Sequence, residues 1–219
     1  DTQANSRLFR ILAILGVGLA IVAIAAYRMG LSSTTPMENF RIIGYEPSWV
    51  SSHPICYEML THLNYAFLLV NEDGSLKTTG LDLPRMQTIL RDAKAHGVKV
   101  LISVGGANNK ALSVAATRAR PILIANLEAF VYEHGFDGVD IDWEGPANKD
   151  EGEAYLDLVR SLYRDLHPKG KLVTTAVVTW FGANVPSESF AFLDFVNIMS
   201  YDADGLEHSP FSKADSDLK

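Results

Sequence analysis

From Arg41 onward, short apolar runs alternate with longer amphipathic ones. Apolar, β-branched or aromatic runs occupy Arg41–Tyr45, His62–Val70, Val98–Val104, Gly138–Trp143, Leu172–Trp180 and Phe195–Ser200, and their lengths and residue types predict six strands. Between most of them lie helical patterns. Leu83–His96 stops at Gly97, Arg120–His134 at Gly135, and Glu151–His167 at Pro168 and Gly170, residues that end helices by adopting left-handed backbone or by lacking an N–H. Strands that are nearly all apolar and are joined by helices predict a parallel sheet with both faces covered. Periodicity leaves a doubly wound sheet and a (β/α) barrel equally open.

The first thirty residues follow a different pattern. Between Arg10 and Arg28 an uncharged apolar run, Ile11–Tyr27, has no polar face, and as a helix it reaches roughly 25 Å, near the thickness of a bilayer core. Ala23-Ile24-Ala25 offers the small-x-small pattern at which signal peptides are cut. Residues 1–30 are therefore expected to be a signal peptide or a membrane anchor acting through residues 11–27 if uncleaved. Arg7 and Arg10 precede the run and only Arg28 follows it, a bias that places the rest of the chain outside the cytoplasm, secreted or anchored. Residues 31–38, with Ser32, Ser33, Thr34, Thr35 and Pro36, read as a linker. Residues 39–219 then form one domain, expected to be a monomer.

Composition narrows the partners. With 19 Lys+Arg against 26 Asp+Glu the formal net charge is −7, and no basic cluster offers a footprint for nucleic acid. A neutral ligand fits better than a polyanion. Cys56 is the only cysteine, which excludes an intramolecular disulfide and a thiolate metal cage. The six histidines show no paired ligand spacing, and no chemistry is assigned to them.

The chemistry concentrates in Phe136-Asp137-Gly138-Val139-Asp140-Ile141-Asp142-Trp143-Glu144. Side chains alternate along a strand, so Asp140, Asp142 and Glu144 fall on one face and Val139, Ile141 and Trp143 on the other. Same-face neighbours lie roughly 6–7 Å apart, close enough inside a protein for each charge to oppose ionisation of the next. At least one carboxyl is expected to stay protonated near neutrality and serve as a general acid, with Glu144 at the strand end where barrel enzymes place their chemistry. A solvated face of an antiparallel strand, or part of a calcium site, would show the same alternation. The apolar opposite face argues against both, because a parallel neighbour leaves no wet side. Asp137 has the other parity and is expected to act structurally at the strand entrance.

Two more strand ends carry related patterns. Ser103-Val104-Gly105-Gly106 points Ser103 inward, within reach of the carboxylates, and its glycines allow close approach of backbone or ligand. Met199-Ser200-Tyr201-Asp202 brings Met199 and Tyr201 to one face and a phenol and a carboxylate to the mouth.

Together these segments resemble the chitinase family, glycoside hydrolase family 18. The resemblance runs from about Gly44-Tyr45 to Asp202 and rests on Ser103-Val104-Gly105-Gly106 (the family's SxGG), Asp137 to Glu144 (DxxDxDxE) and Met199 to Asp202 (MxYD). It implies a TIM-type (β/α)8 barrel that hydrolyses β-1,4-linked N-acetylglucosamine polymers such as chitin with retention, the substrate's acetamide serving as nucleophile. By the same resemblance Glu144 is the acid and base, Asp142 orients the acetamide, Asp140 supports the proton inventory, Tyr201 bonds the acetamide carbonyl, and no metal or cofactor is required. Asp202 is expected to contact the distorted sugar, with Tyr45 and Ser103 supporting the column. Trp49 and Trp180, near strand ends, are candidate stacking platforms for sugar rings or simple packing aromatics. An endo-β-N-acetylglucosaminidase, a peptidoglycan or spore-cortex hydrolase, or a chitin-binding lectin would share much of this pattern, although a lectin normally lacks the acid held here by Glu144. A complete barrel has eight strands, and only six are predicted, so the barrel is expected to be truncated after the sixth and the activity of this polypeptide doubtful. The first residue, Asp1, also reads as the start of a fragment or a processed product.

Overall fold

The computed structural model of the chain describes residues 40–50, 53–107, 109–179, 184–202 and 208–218. The apolar segment 11–27, the linker 31–38 and Trp180 lie outside the described residues. Among the described residues, no helix is long and apolar enough to cross a membrane, and no group of three or more His, Cys, Asp or Glu side chains is arranged to hold a metal ion. Arg41–Lys219 form one compact unit.

Six parallel strands build the sheet: β1 (Ile43–Pro47), β2 (His62–Val70), β4 (Lys99–Gly105), β5 (Gly138–Glu144), β6 (Leu172–Val177) and β7 (Phe195–Ile198). A two-residue strand, β3 (Leu76–Lys77), pairs antiparallel with the end of β2. The parallel strands lie side by side in chain order, β1-β2-β4-β5-β6-β7. That order decides between the two architectures left open above. A doubly wound sheet reverses its order at a switch point, whereas a barrel winds in one direction. This is an open part of a (β/α)8 barrel.

The helices are α1 (Leu83–Ala95), α2 (Ala111–Arg118), α3 (Arg120–His134), α4 (Lys149–Leu166) and the short α5 (Phe211–Asp217). Their ends have local causes. Asp82 caps α1 by accepting from the Arg85 N–H at 3.0 Å. Asn148 caps α4 through the Glu151 N–H, and Glu151 reaches back to the Ala147 N–H, both at 3.0 Å, a reciprocal arrangement that satisfies two donors the helix itself cannot pair. Gly135, with φ +80°, closes α3.

Alternation sorts the strand side chains into two layers. Val100, Ile102, Val104, Val139 and Ile141 point outward into a fully buried apolar core with Leu123, Leu127, Leu158 and Leu162 of the helices. Each such side chain contributes about 1.5–3 kcal/mol relative to exposure. Leu101, Ser103, Asp140 and Thr174 face inward. The strand entrances are pinned by a repeated device: Asp137, just before β5, accepts from the Val100 N–H, and Asp194, just before β7, accepts from the Val173 N–H, both at 2.8 Å.

Two strands stop short of their predicted ends. Beyond Val177 the Val178 N–H bonds the Glu144 carbonyl at 2.9 Å, and the chain leaves the sheet before Trp180. Beyond Ile198 the Ser200 N–H folds back to the Ile198 carbonyl at 3.0 Å, so Met199 and Ser200 are not strand. Helix α2 was not predicted; its first residue follows Lys110, which gives no side-chain cap.

Candidate active site

The inward face centres on Asp140, which is fully buried. Four side chains from four different strands donate to it. Tyr45 Oη and Ser103 Oγ reach Oδ2 at 2.9 and 2.8 Å, while Thr174 Oγ1 and Asn197 Nδ2 reach Oδ1 at 2.6 and 3.4 Å. Asn197 also donates to Tyr45 Oη at 3.0 Å. Burial pushes the Asp140 carboxyl above its usual range, and the Thr174, Ser103, Tyr45 and Asn197 donors pull against that shift.

Asp142, one rung toward the mouth, is placed differently. It is 5% exposed, and its Oδ1 is buried with no hydrogen-bond partner. Burial first, then the charges of Asp140 and Glu144, push its pKa to about 7. Since Asp140 is surrounded by donors and Asp142 has none among the described residues, a proton shared by the pair is best held on Asp142. Glu144, half-buried, is also raised, by burial and then by Asp202.

The regular alternation expected for all three acids holds only for the first two. Asp142 pairs with Ala176 and Glu144 with the next residue of β6, Val177, so Trp143 is an extra residue in β5. Trp143 turns outward onto Tyr155, ring centroids 5.8 Å apart. Glu144 follows with a left-handed backbone, φ +68°, and lines a 170 Å³ concavity together with Asp142.

Gly105 and Gly106 explain themselves sterically. Both have positive φ, +120° and +86°. A Cβ on Gly105 would overlap the Asp142 carbonyl, and one on Gly106 would meet the Phe67 ring. The Gly106 N–H donates to that same Asp142 carbonyl at 2.8 Å. The β4 end therefore lies directly against the β5 end, as only glycine permits.

A 460 Å³ cavity opens over Asp142 and is walled by Tyr45, Phe67, Met199 and Tyr201. Burial, then the neighbouring Asp142, raises the Tyr201 phenol. Asp202 is exposed, has φ +60° and stands 3.5 Å from His208, whose ring stacks on Tyr201. Trp49 lies apart from the carboxylates. It is 66% exposed, sits 5.9 Å from the Phe67 ring, and lines a separate 640 Å³ cavity that also borders Gly105 and Gly106. The structure thus gathers Tyr45, Ser103, Asp140, Asp142, Met199 and Tyr201 on one side of Phe67 and Trp49 on the other.

Sequence reasoning missed Thr174, Asn197 and Phe67. Thr174 sits at the same-face parity of β6 opposite Asp140, so a polar residue inside an apolar strand was the available signal. Asn197 opens the run that contains Met199 and Tyr201. Phe67 had no distinguishing feature in an apolar strand.

A family model described as "Glycosyl hydrolases family 18" matches residues 41–219. The Endochitinase of Manduca sexta is 27% identical over 237 residues, covering 91% of this chain and 42% of its own length. A crystal structure of a chitinase from Bacteroides thetaiotaomicron superposes with a TM-score of 0.74 at 30% identity, over 82% of this chain and 61% of that one. Catalytic domain 2 of the Ostrinia furnacalis Group II chitinase, a mutant solved in complex with a (NAG)5 ligand, gives 0.67 at 26% identity, over 74% and 51%. The chain spans less than two thirds of each of these proteins. With the match extending over most of its length and all the described strands, this chain belongs to glycosyl hydrolase family 18.

Proposed function

We propose that the protein hydrolyses β-1,4-linked N-acetylglucosamine polymers with retention of configuration, the acetamide of the substrate acting as nucleophile. The observation that carries this reading is the orphaned Oδ1 of Asp142, buried at the floor of the Tyr45–Tyr201 cavity. A buried carboxyl oxygen without a partner costs about 1–3 kcal/mol, and an acetamide N–H entering that cavity would satisfy it.

The step balances as follows. Glu144 delivers its proton to the glycosidic oxygen as the bond from that oxygen to the anomeric carbon breaks, and the acetamide carbonyl oxygen forms the new bond to that carbon. The oxazolinium ion so made is positive, and Asp142, ionised by giving its proton toward Asp140, lies beside it. Water then attacks the anomeric carbon, Glu144 takes the water's proton, and the acetamide is released. Placing the nucleophile on the substrate leaves the enzyme one acid–base group and a set of orienting groups, among them the Tyr201 phenol, whose raised pKa keeps it a donor. Before Asp142 gives up its proton, the negative charge of the pair rests on Asp140, where four donors hold it.

Proton NMR of chitotetraose incubated with the full-length protein tests this, run beside Glu144→Gln. The expected result is release of the β-anomer first, with turnover lost and binding kept in the variant. First release of the α-anomer, or undiminished cleavage by the variant, refutes the mechanism.

A further inference from the structure

The 640 Å³ cavity beside the carboxylate site is cationic in a chain whose net charge is −7. It is lined by apolar and aromatic side chains, Trp49, Phe67 and Leu69, together with Lys77 and Lys110. Among the described residues no Asp or Glu lines it. Neither lysine forms an ion pair with a described residue.

Both lysines stand on fixed backbone. Lys77 is in β3, paired with Leu69 of β2. Lys110 immediately precedes α2, and the adjacent Asn109 ties that loop to β2: with its side-chain amide assigned in the orientation that satisfies both groups, it donates to the Val70 carbonyl at 3.2 Å and accepts from the Val70 N–H at 3.0 Å. The rim is therefore built by a strand pair and a clamped helix start. Lys110 also borders the concavity that holds Asp142 and Glu144, so the cationic cavity and the acid site are contiguous along the barrel mouth.

A neutral glycan gains nothing from this separation of charge. A carboxylate on a sugar over Asp142 and Glu144 would be repelled, whereas one on a sugar stacked at Trp49 would meet two ammonium groups that no described carboxylate pairs. From this, and resting on the glycan-hydrolase reading above, we infer that Lys77 and Lys110 select an N-acetylated β-1,4-glycan bearing carboxylate groups on the sugars bound at the Trp49 end. Such a carboxylate comes either from a lactyl ether at O3, as in N-acetylmuramic acid, or from a uronate at C6.

Calorimetric titration of the full-length protein carrying Glu144→Gln, which prevents cleavage, tests the inference. The probes are chitotetraose, an alternating N-acetylglucosamine–N-acetylmuramic acid tetrasaccharide, and chitotetraose oxidised to carboxylates at C6. At low salt a carboxylated probe is expected to bind about fivefold more tightly than the neutral one, the size of two exposed ion pairs. High salt, or Lys77→Gln with Lys110→Gln, should abolish that preference by lowering the affinity for the carboxylated probes more than that for chitotetraose. Which carboxylated probe shows the gain identifies the substituent. Equal binding of all three probes, or an equal loss for neutral and charged probes in the lysine variant, overturns the inference while the hydrolase reading stands. Failure of all three to bind removes both.

Discussion

A carboxyl held protonated at neutral pH destabilises the fold that holds it, and Asp142 allows the size of that effect to be worked out. Its pKa is raised from 3.8 to about 7. Because the folded value lies above the unfolded one, the group's favourable contribution is complete below pH 3.8 and is lost as pH climbs through 7. At 1.36 kcal/mol per unit the full loss is about 4 kcal/mol, of which about 3 kcal/mol falls between roughly pH 4.5 and 8. Asp142→Asn has no ionisation to suppress. Its amide is as poorly partnered as the carboxyl, which costs about 1–3 kcal/mol, but that cost does not vary with pH. Urea unfolding of both proteins at steps across this range, with constant m-values, should show the variant gaining on the wild type by about 3 kcal/mol as pH rises. Two curves that stay parallel within about 0.5 kcal/mol would mean that Asp142 ionises as it does in water, and would remove the basis for its proposed role in proton transfer.

The donors around Asp140 and the strand-entrance aspartates give two more tests. Thr174→Val keeps shape and removes the 2.6 Å hydroxyl bond to a buried carboxyl; the expected loss is about 1.5–3 kcal/mol by thermal or urea unfolding at neutral pH, and an unchanged stability would mean that Asp140 is not charged there. Asp137→Ala orphans the Val100 N–H at the opposite end of the barrel from the mouth. Stability should fall by about 1–3 kcal/mol with chitotetraose affinity unaltered in calorimetry, and a parallel loss of affinity would contradict its purely structural placement.

Much of the fold was legible because burial on both sheet faces leaves a simple mark. His62–Val70 reads as one apolar run and is one strand, and glycine stops at Gly97 and Gly135 coincide with left-handed residues after α1 and α3. What escaped was set by partners distant in sequence. Helix α2 has no capping side chain and is only 8 residues long; its buried Leu112, Ala115 and Ala116 acquire meaning only against β2, α3 and α4. The ends of β6 and β7 depend on where Val178 and Ser200 send their N–H groups. At the site, parity alone put Ser103 beside Asp140, since Ser103 and Asp140 are direct register partners. The same parity rule would have found Thr174, had a threonine in a β-branched run stood out as polar.

Glu144 marks the limit of reading by parity. Continued alternation would stack it as a third rung directly above Asp142. The register shift at Trp143 instead sends an indole outward and re-aims the acid, as bulges at barrel rims do. The left-handed backbone that follows costs a non-glycine residue about 1–2 kcal/mol, and Gly145, with φ +131°, continues the departure from the strand. Nothing in the octapeptide announces this, because its alternating letters fit an undisturbed strand equally well. The bulge separates two requirements that a straight strand would force together. In the proposed mechanism Asp140 and Asp142 need burial and mutual proximity to hold a proton, whereas Glu144 must exchange protons with a substrate and with water. By leaving the column one residue early, β5 keeps the first pair inside the barrel and delivers the third acid, only half-buried, to the mouth.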